Sequence, residues 1–300
     1  MKLSGIFPPL TTPFGNDGAV NLAGLRENIS LYNRTRLAGY VLNGSTGESV
    51  LLRWSEIEQM WAVAREVAAP GKIMIAGTGA ESTAETIEHT NRAAAAGYDA
   101  ALVRTPHYYK PQMTADALVD YYRRVADASK IPIMVYSVPI FTGLTVEAPV
   151  IARLVEHANI IGIKDSSGSV ERISEFRALV PGRFQILVGG ASTLHEALVR
   201  GAVGGILALA CALPELCIEV HEATLAGDTM RARAAQERLL APSGILGSKY
   251  GIPGLKYALD RLGYFGGHPR LPLQPVSDGA KREIDAALAS VMPAASTRQS

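Results

Sequence analysis

A (β/α)8 barrel with a C-terminal helical appendage is the fold class this sequence predicts, and three observations carry the prediction. Eight short apolar or β-branched runs alternate with longer amphipathic segments across about 220 residues. Most of the runs are near-continuously apolar, as strands covered on both faces are. The first run leads into Pro8-Pro9-Leu10-Thr11-Thr12-Pro13-Phe14 and not into the G-x-G-x-x-G turn of an open dinucleotide-binding sheet.

In chain order the expected strands are Gly5–Leu10, Gly39–Asn43, Lys72–Gly77, Ala100–Thr105, Ile131–Ser137, Ile160–Lys164, Gln185–Gly189 and Gly204–Ala208. Between them the apolar spacing predicts helices over Leu22–Arg36, Ser55–Ala68, Ser82–Ala96, Thr114–Ser129, Thr145–His157, Ser169–Val180 and Ser192–Arg200. Ser55-Glu56-Ile57-Glu58 and Thr83-Ala84-Glu85-Thr86 place hydroxyls and acids where a first helical turn needs them. Pro132 opens a strand, where a missing N–H is tolerated. Beyond Gly227 the strand signal stops. Thr229–Leu240, Gly254–Leu262 and Ser277–Met292 read as helices, punctuated by Pro253, Pro269, Pro272 and Pro275. The chain is therefore expected to divide into a catalytic barrel over 1–226 and a helical region over 227–293 packed on it. A small-residue tail over 294–300 is expected to be disordered.

Composition narrows the function. Apolar residues make up 48% of the 300 and aromatics 6%, which predicts a large aliphatic core. With 29 basic against 28 acidic residues the net charge is +1, which gives no reason to expect a nucleic-acid partner. Cys211 and Cys217, six apart in an apolar segment, read as reduced core residues of a cytoplasmic protein. Met1–Phe14 lacks the basic-then-apolar pattern of a signal peptide, and no window approaches a membrane span. The histidines at 89, 107, 157, 195, 221 and 268 show no H-x-H or H-E-x-x-H pairing, so no metal is expected.

The chemistry gathers at the carboxyl ends of the strands, where barrel enzymes carry their functional groups. Ile160-Ile161-Gly162-Ile163-Lys164 closes an apolar run with a lysine. Burial disfavours the charged form of an ammonium, and a partly neutral lysine is a nucleophile able to form a Schiff base with a carbonyl compound. The plain alternative is a surface pair with Asp165. Tyr136 ends the fifth strand at the level where Lys164 emerges, and a phenol there can shuttle protons; a core tyrosine tied to the backbone is the alternative. After the second strand, Asn43-Gly44-Ser45-Thr46-Gly47-Glu48-Ser49 is either a small carboxylate site or an ordinary capped turn. Thr105-Pro106-His107-Tyr108-Tyr109-Lys110-Pro111 on its own reads as packing. Gly189-Gly190-Ala191-Ser192 and Gly204-Gly205 read as close-approach turns around a small keto acid, since Gly201–Leu209 has no basic residue for a phosphate. Lys249, Lys256 and Lys281 read as ordinary solvated charges.

Taken together, these motifs resemble the dihydrodipicolinate synthase / N-acetylneuraminate lyase family of class I aldolases. The resemblance runs from Gly5–Phe14 through Gly44–Ser49, Thr105–Pro111, Tyr136–Pro139 with Thr142-Gly143, and Gly162–Asp165. It continues through Gly251–Lys256 to Gly263–Leu273. It implies a pyruvate imine on Lys164 with Tyr136 as proton donor and acceptor. Ser45, Thr46 and Gly47 would hold the pyruvate carboxylate, and Tyr108 would complete a proton relay from a neighbouring subunit. Ser166, Gly189 and Ile206 would line the pyruvate pocket. It also implies a homotetramer built as a dimer of dimers, with no metal or organic cofactor.

One departure bears on substrate. Lysine-pathway synthases of the family carry an arginine where Phe141 stands, and a phenyl ring cannot make a bidentate pair with a carboxylate. The wording Tyr136-Ser137-Val138-Pro139, Lys164-Asp165-Ser166 and Gly201–Gly205 is more similar to 4-hydroxy-2-oxoglutarate aldolases, which have asparagine where Thr46 stands. The expected activity is therefore cleavage of 4-hydroxy-2-oxoglutarate, or a similar 2-keto acid, to pyruvate and glyoxylate. The alternatives are dihydrodipicolinate synthase, a hydratase-aldolase or dehydratase of the same scaffold, and a non-enzymatic barrel with a decayed site.

Overall fold

Proline ends the first strand early. Pro8 and Pro9 have no N–H to donate into a ladder, so β1 spans Gly5–Phe7 and stops short of Leu10. The seven strands that follow are β2 (Gly39–Leu42), β3 (Ile73–Gly77), β4 (Ala100–Arg104), β5 (Ile133–Ser137), β6 (Ile160–Asp165), β7 (Gln185–Val188) and β8 (Gly204–Ile206). The computed structural model describes residues 1–291, so Met292 and the expected tail at 294–300 lie outside the described residues.

All strand pairs are parallel, and the sheet runs β1-β8-β7-β6-β5-β4-β3-β2. Across the remaining seam the Ala38 N–H donates to the Ile6 carbonyl at 3.0 Å, Val41 to Pro8 at 3.0 Å and Leu10 to Val41 at 2.9 Å. These bonds close the barrel. Side chains alternate in and out along each strand. Phe7, Val41, Ile75, Leu102, Met134, Leu187 and Ile206 fill the interior, and a second apolar layer lies between the strands and the helices.

One pairing shifts. Ile133 stands opposite Ile160, but Met134 stands opposite Gly162, so β6 carries an extra residue at this point. The shift brings Tyr136 opposite Lys164. Gly162 lies so close to β7 that a Cβ there would meet the Gln185 carbonyl oxygen at 2.2 Å.

The helices are α1 (Leu22–Tyr32), α2 (Trp54–Val67), α3 (Thr83–Ala95), α4 (Ala115–Ala128), α5 (Pro139–Thr142), α6 (Ala148–Leu154), α7 (Val170–Leu179) and α8 (Leu194–Val199). They are followed by α9 (Pro214–Leu225), α10 (Thr229–Pro242), α11 (Gly251–Arg261) and α12 (Asp278–Ala289). The expected helix Thr145–His157 is shorter than its apolar spacing implies. Pro149 is tolerated only in a first turn, and α6 accordingly begins at Ala148. α9, a largely buried helix with little amphipathic contrast opened by Pro214, has no counterpart among the expected helices. Cys217 on α9 and Cys211 in the turn before it are buried free thiols. No helix among the described residues is long and apolar enough to cross a membrane.

The segment after Gly227 is tied to the barrel by charge. Lys256 on α11 was expected to be solvated; its side chain is 1% exposed, and its Nζ lies 2.6 Å from the carboxylate of the equally buried Glu48. Burial pushes Lys256 below the usual lysine range, opposed by the Glu48 carboxylate. The same ammonium donates to the His268 carbonyl at 2.7 Å. The Arg270 backbone N–H donates to the other Glu48 oxygen at 2.8 Å. The Arg270 guanidinium forks onto Glu56 with two bonds of 2.7 Å. Both cations lie over the Phe14 ring, 4.4 and 4.2 Å from its centroid.

Removing one member of such a pair leaves the other buried and uncompensated. The Lys256→Met variant should lose about 3–5 kcal/mol of unfolding free energy. It would be read as a lower urea midpoint at unchanged slope. A midpoint equal to that of the parent protein would show that the pair does not hold the segment.

Candidate active site

Two strand ends and one turn meet at the carboxyl end of the barrel. Lys164 lies on the inner face of β6, opposite Tyr136 on β5 and Leu187 on β7. Lys164 is 5% exposed. Its Nζ lies 4.3 Å from the centroid of the Tyr136 ring, against the π face of a phenol. Asp165 is not its partner. One residue on, Asp165 faces outward, accepts from the Ser167 N–H and hydroxyl, and pairs with Arg172 at 3.3 Å. The surface pairing considered for Lys164 is absent, and the ammonium stays inside the barrel mouth.

The turn after β2 supplies the hydroxyls. Ser45-Thr46-Gly47 form one 3-10 turn. The Ser45 hydroxyl lies 3.4 Å from the Tyr136 hydroxyl. Asn43 and Glu48, flanking the turn, hold φ values of +60° and +56°. A side chain in that region costs roughly 1–3 kcal/mol and persists only where surrounding contacts impose it. Those contacts are present. The Thr12 hydroxyl donates to the Gly47 carbonyl at 2.6 Å, the Asn43 amide to Gly77 at 3.0 Å, and Glu48 is held by Lys256 and Arg270.

Ser166 and Gly189 continue the rim. The Ser166 N–H donates to the Ser137 carbonyl at 2.9 Å and the Gly189 N–H to the Asp165 carbonyl at 2.8 Å. Ile206 is fully buried on β8 and belongs to the interior cluster. Two expected site residues stand apart from this group. Tyr108 is 77% exposed, in edge-to-face contact with Tyr109, and Phe141 on α5 is 61% exposed.

A cavity of about 350 Å³ opens beside Ser45 and Tyr136 and runs outward over the ends of β2, β3 and β4. Its wall includes Arg104, a charge inside the expected strand Ala100–Thr105 that is not among the expected site residues. Arg104 donates to Glu81 at 2.8 Å, and the ring of His107 approaches both groups. Against the pull of burial, the Tyr108 N–H, the Arg104 guanidinium and the His107 N–H hold the Glu81 carboxyl below the usual carboxylate range. At the outer end, burial pushes the His89 ring below its usual range, where it stacks on Trp54 at 3.8 Å. Among the described residues, no three His, Cys, Asp or Glu side chains come together as a metal site.

The chain matches the family model described as "Dihydrodipicolinate synthetase family" over residues 2–291. It is 37% identical over 287 residues to a 4-hydroxy-tetrahydrodipicolinate synthase of Methylobacterium radiotolerans, covering 96% of this chain and 95% of that one. It is 36% identical over 275 residues to the synthase of that name from Methanothrix thermoacetophila, covering 91% and 92%. The 4-hydroxy-tetrahydrodipicolinate synthase structure from Methylacidiphilum fumariolicum superposes with a TM-score of 0.92 at 28% identity, covering 97% of this chain and 96% of that one. Matched from end to end in sequence and in fold, this chain belongs to the dihydrodipicolinate synthetase family and is a carbon–carbon lyase of the class I aldolase type.

Proposed function

We propose that this enzyme activates pyruvate as an imine on Lys164 and bonds its methyl carbon to an aldehyde. The observation that carries the reading is the buried Lys164 side chain against the ring of Tyr136, which with Ser45 lines the cavity. Lys164 Nζ adds to the keto carbon of pyruvate and water leaves, giving an iminium. The positive nitrogen draws electrons from the adjacent methyl carbon, which releases a proton and becomes an enamine nucleophile. That carbon bonds to the aldehyde carbon, the aldehyde oxygen takes up a proton, and water hydrolyses the new iminium to free Lys164. Run in reverse, the sequence cleaves the same bond. The iminium is the electron sink, so the reaction as proposed calls on no metal or organic cofactor.

Tyr136 moves protons to and from the carbinolamine oxygen, with the Ser45 hydroxyl next in line. Ser45, Thr46 and Gly47 hold the pyruvate carboxylate, while Ser166, Gly189 and Ile206 line its pocket. Tyr108 completes the relay from a neighbouring copy, in a homotetramer built as a dimer of dimers. The Tyr108–Tyr109 pair, exposed and apart from the site within one copy, supports a role across copies. Buried free thiols at Cys211 and Cys217 support a cytoplasmic setting.

For the aldehyde, the names of the relatives support aspartate semialdehyde, condensed with pyruvate to 4-hydroxy-tetrahydrodipicolinate. Cleavage of 4-hydroxy-2-oxoglutarate, which the sequence wording put first, becomes the second reading. It is favoured by Phe141, whose ring offers no charge-assisted contact to a carboxylate.

Borohydride reduction with pyruvate should add a pyruvyl group to the peptide containing Lys164 and to no other; an adduct elsewhere, or none, would refute the imine. The Tyr136→Phe variant should lower kcat by about 100-fold or more with little change in pyruvate affinity, as measured by steady-state kinetics beside equilibrium binding. Side-by-side turnover of aspartate semialdehyde with pyruvate and of 4-hydroxy-2-oxoglutarate alone should favour the first; the reverse order would establish the second reading.

A further inference from the structure

Arg104 ends β4 on the inner face of the barrel. Ala100 and Leu102 on the same strand belong to the interior cluster, and alternation puts Arg104 on their side. Its register partner is Tyr136 on the adjacent strand, so the guanidinium stem and the phenol are neighbours in the sheet. Gly79 makes room for it: a Cβ at that position would meet the Arg104 Cγ at 2.7 Å. A cation at this place is costly unless something is paired with it.

Glu81 pairs with only part of the group. Both bonds that Arg104 makes, to Glu81 and to His107, leave from Nη1. Among the described residues, Nε and Nη2 have no hydrogen-bond partner. Glu81 is itself shared, since it also accepts the His107 and Tyr108 N–H groups at 2.8 and 2.9 Å. The cavity wall therefore carries a guanidinium oriented through Nη1, with further donors left on the same planar fork. Planar forks match carboxylates. Phe141, by contrast, is not part of this wall.

We propose that Arg104 is a specificity-determining residue that binds the carboxylate of the second substrate, an aldehyde acid. The inference rests on the reading that pyruvate is held on Lys164, which places the reacting aldehyde carbon near Tyr136 and its acid end along β4. Glu81 acts as a positioning residue for the guanidinium.

The test compares Arg104→Gln and Arg104→Lys with the parent enzyme on two matched aldehyde pairs, each supplied with pyruvate. Succinic semialdehyde and glyoxylate carry a carboxylate; butanal and glycolaldehyde are their uncharged counterparts. The parent enzyme should prefer the acids. In Arg104→Gln, kcat/KM for the acids should fall about 10- to 100-fold while the uncharged aldehydes change little, and Arg104→Lys should recover part of the loss. A parent enzyme without preference for the acids, or an equal fall on both classes, would overturn the proposal. Borohydride trapping of pyruvate on each variant separates the two levels: trapping lost in the parent enzyme refutes the imine, whereas trapping intact with an unchanged preference refutes only the role of Arg104.

Discussion

A one-residue shift in the pairing of β5 with β6 decides what the barrel presents at its mouth. If the register at Ile133 and Ile160 continued unbroken, Tyr136 would stand opposite Ile163, and Lys164 would fall on the outer face with Ser137. The extra residue near Ile161 turns Lys164 inward. Side chains in a strand alternate with a period of two, so a single inserted residue exchanges faces for everything beyond it. Gly162 permits the close approach to β7 that this arrangement needs. The lysine–phenol contact is thus a consequence of backbone register.

The hydroxyl turn depends on a different constraint. Asn43 and Glu48 hold left-handed backbone conformations at its two ends, and neither is glycine. The opposing force comes from far along the chain, where Lys256 and the Arg270 N–H grip the Glu48 carboxylate inside the protein. The helical segment after the barrel is therefore part of what shapes the turn that carries Ser45. Buried ion pairs add little net stability over apolar packing but penalise the loss of either partner. Such a pair suits a site that must keep one geometry.

Lys164 and Arg104 show the same signal in two strands. Each is a charged residue on the inner face of an apolar run, and each lies beside Tyr136 in the register of the sheet. Lys164 stands out in the sequence because it closes its apolar run, whereas Arg104 is followed by Thr105 within the expected strand Ala100–Thr105. Lys256 departs from its expected solvation for the opposite reason. Its helix has a clear amphipathic pattern, and nothing local announces that Glu48, more than two hundred residues earlier, lies against it. Proline chemistry explains the smaller differences: Pro8 and Pro9 shorten β1, and Pro149 delays α6.

Local chemistry in the sequence was enough to determine the barrel, the order of its eight strands, most of its helices, and the candidacy of Lys164, Tyr136 and the Ser45-Thr46 turn. Apolar periodicity, turn residues and a charge out of place are all properties of short stretches. Which side chains meet was decided by the tertiary structure. The inward turn of Lys164, the Lys256–Glu48 pair and the Arg104 wall of the cavity each depend on register between strands or on contacts between distant segments, and no window along the chain contains both partners.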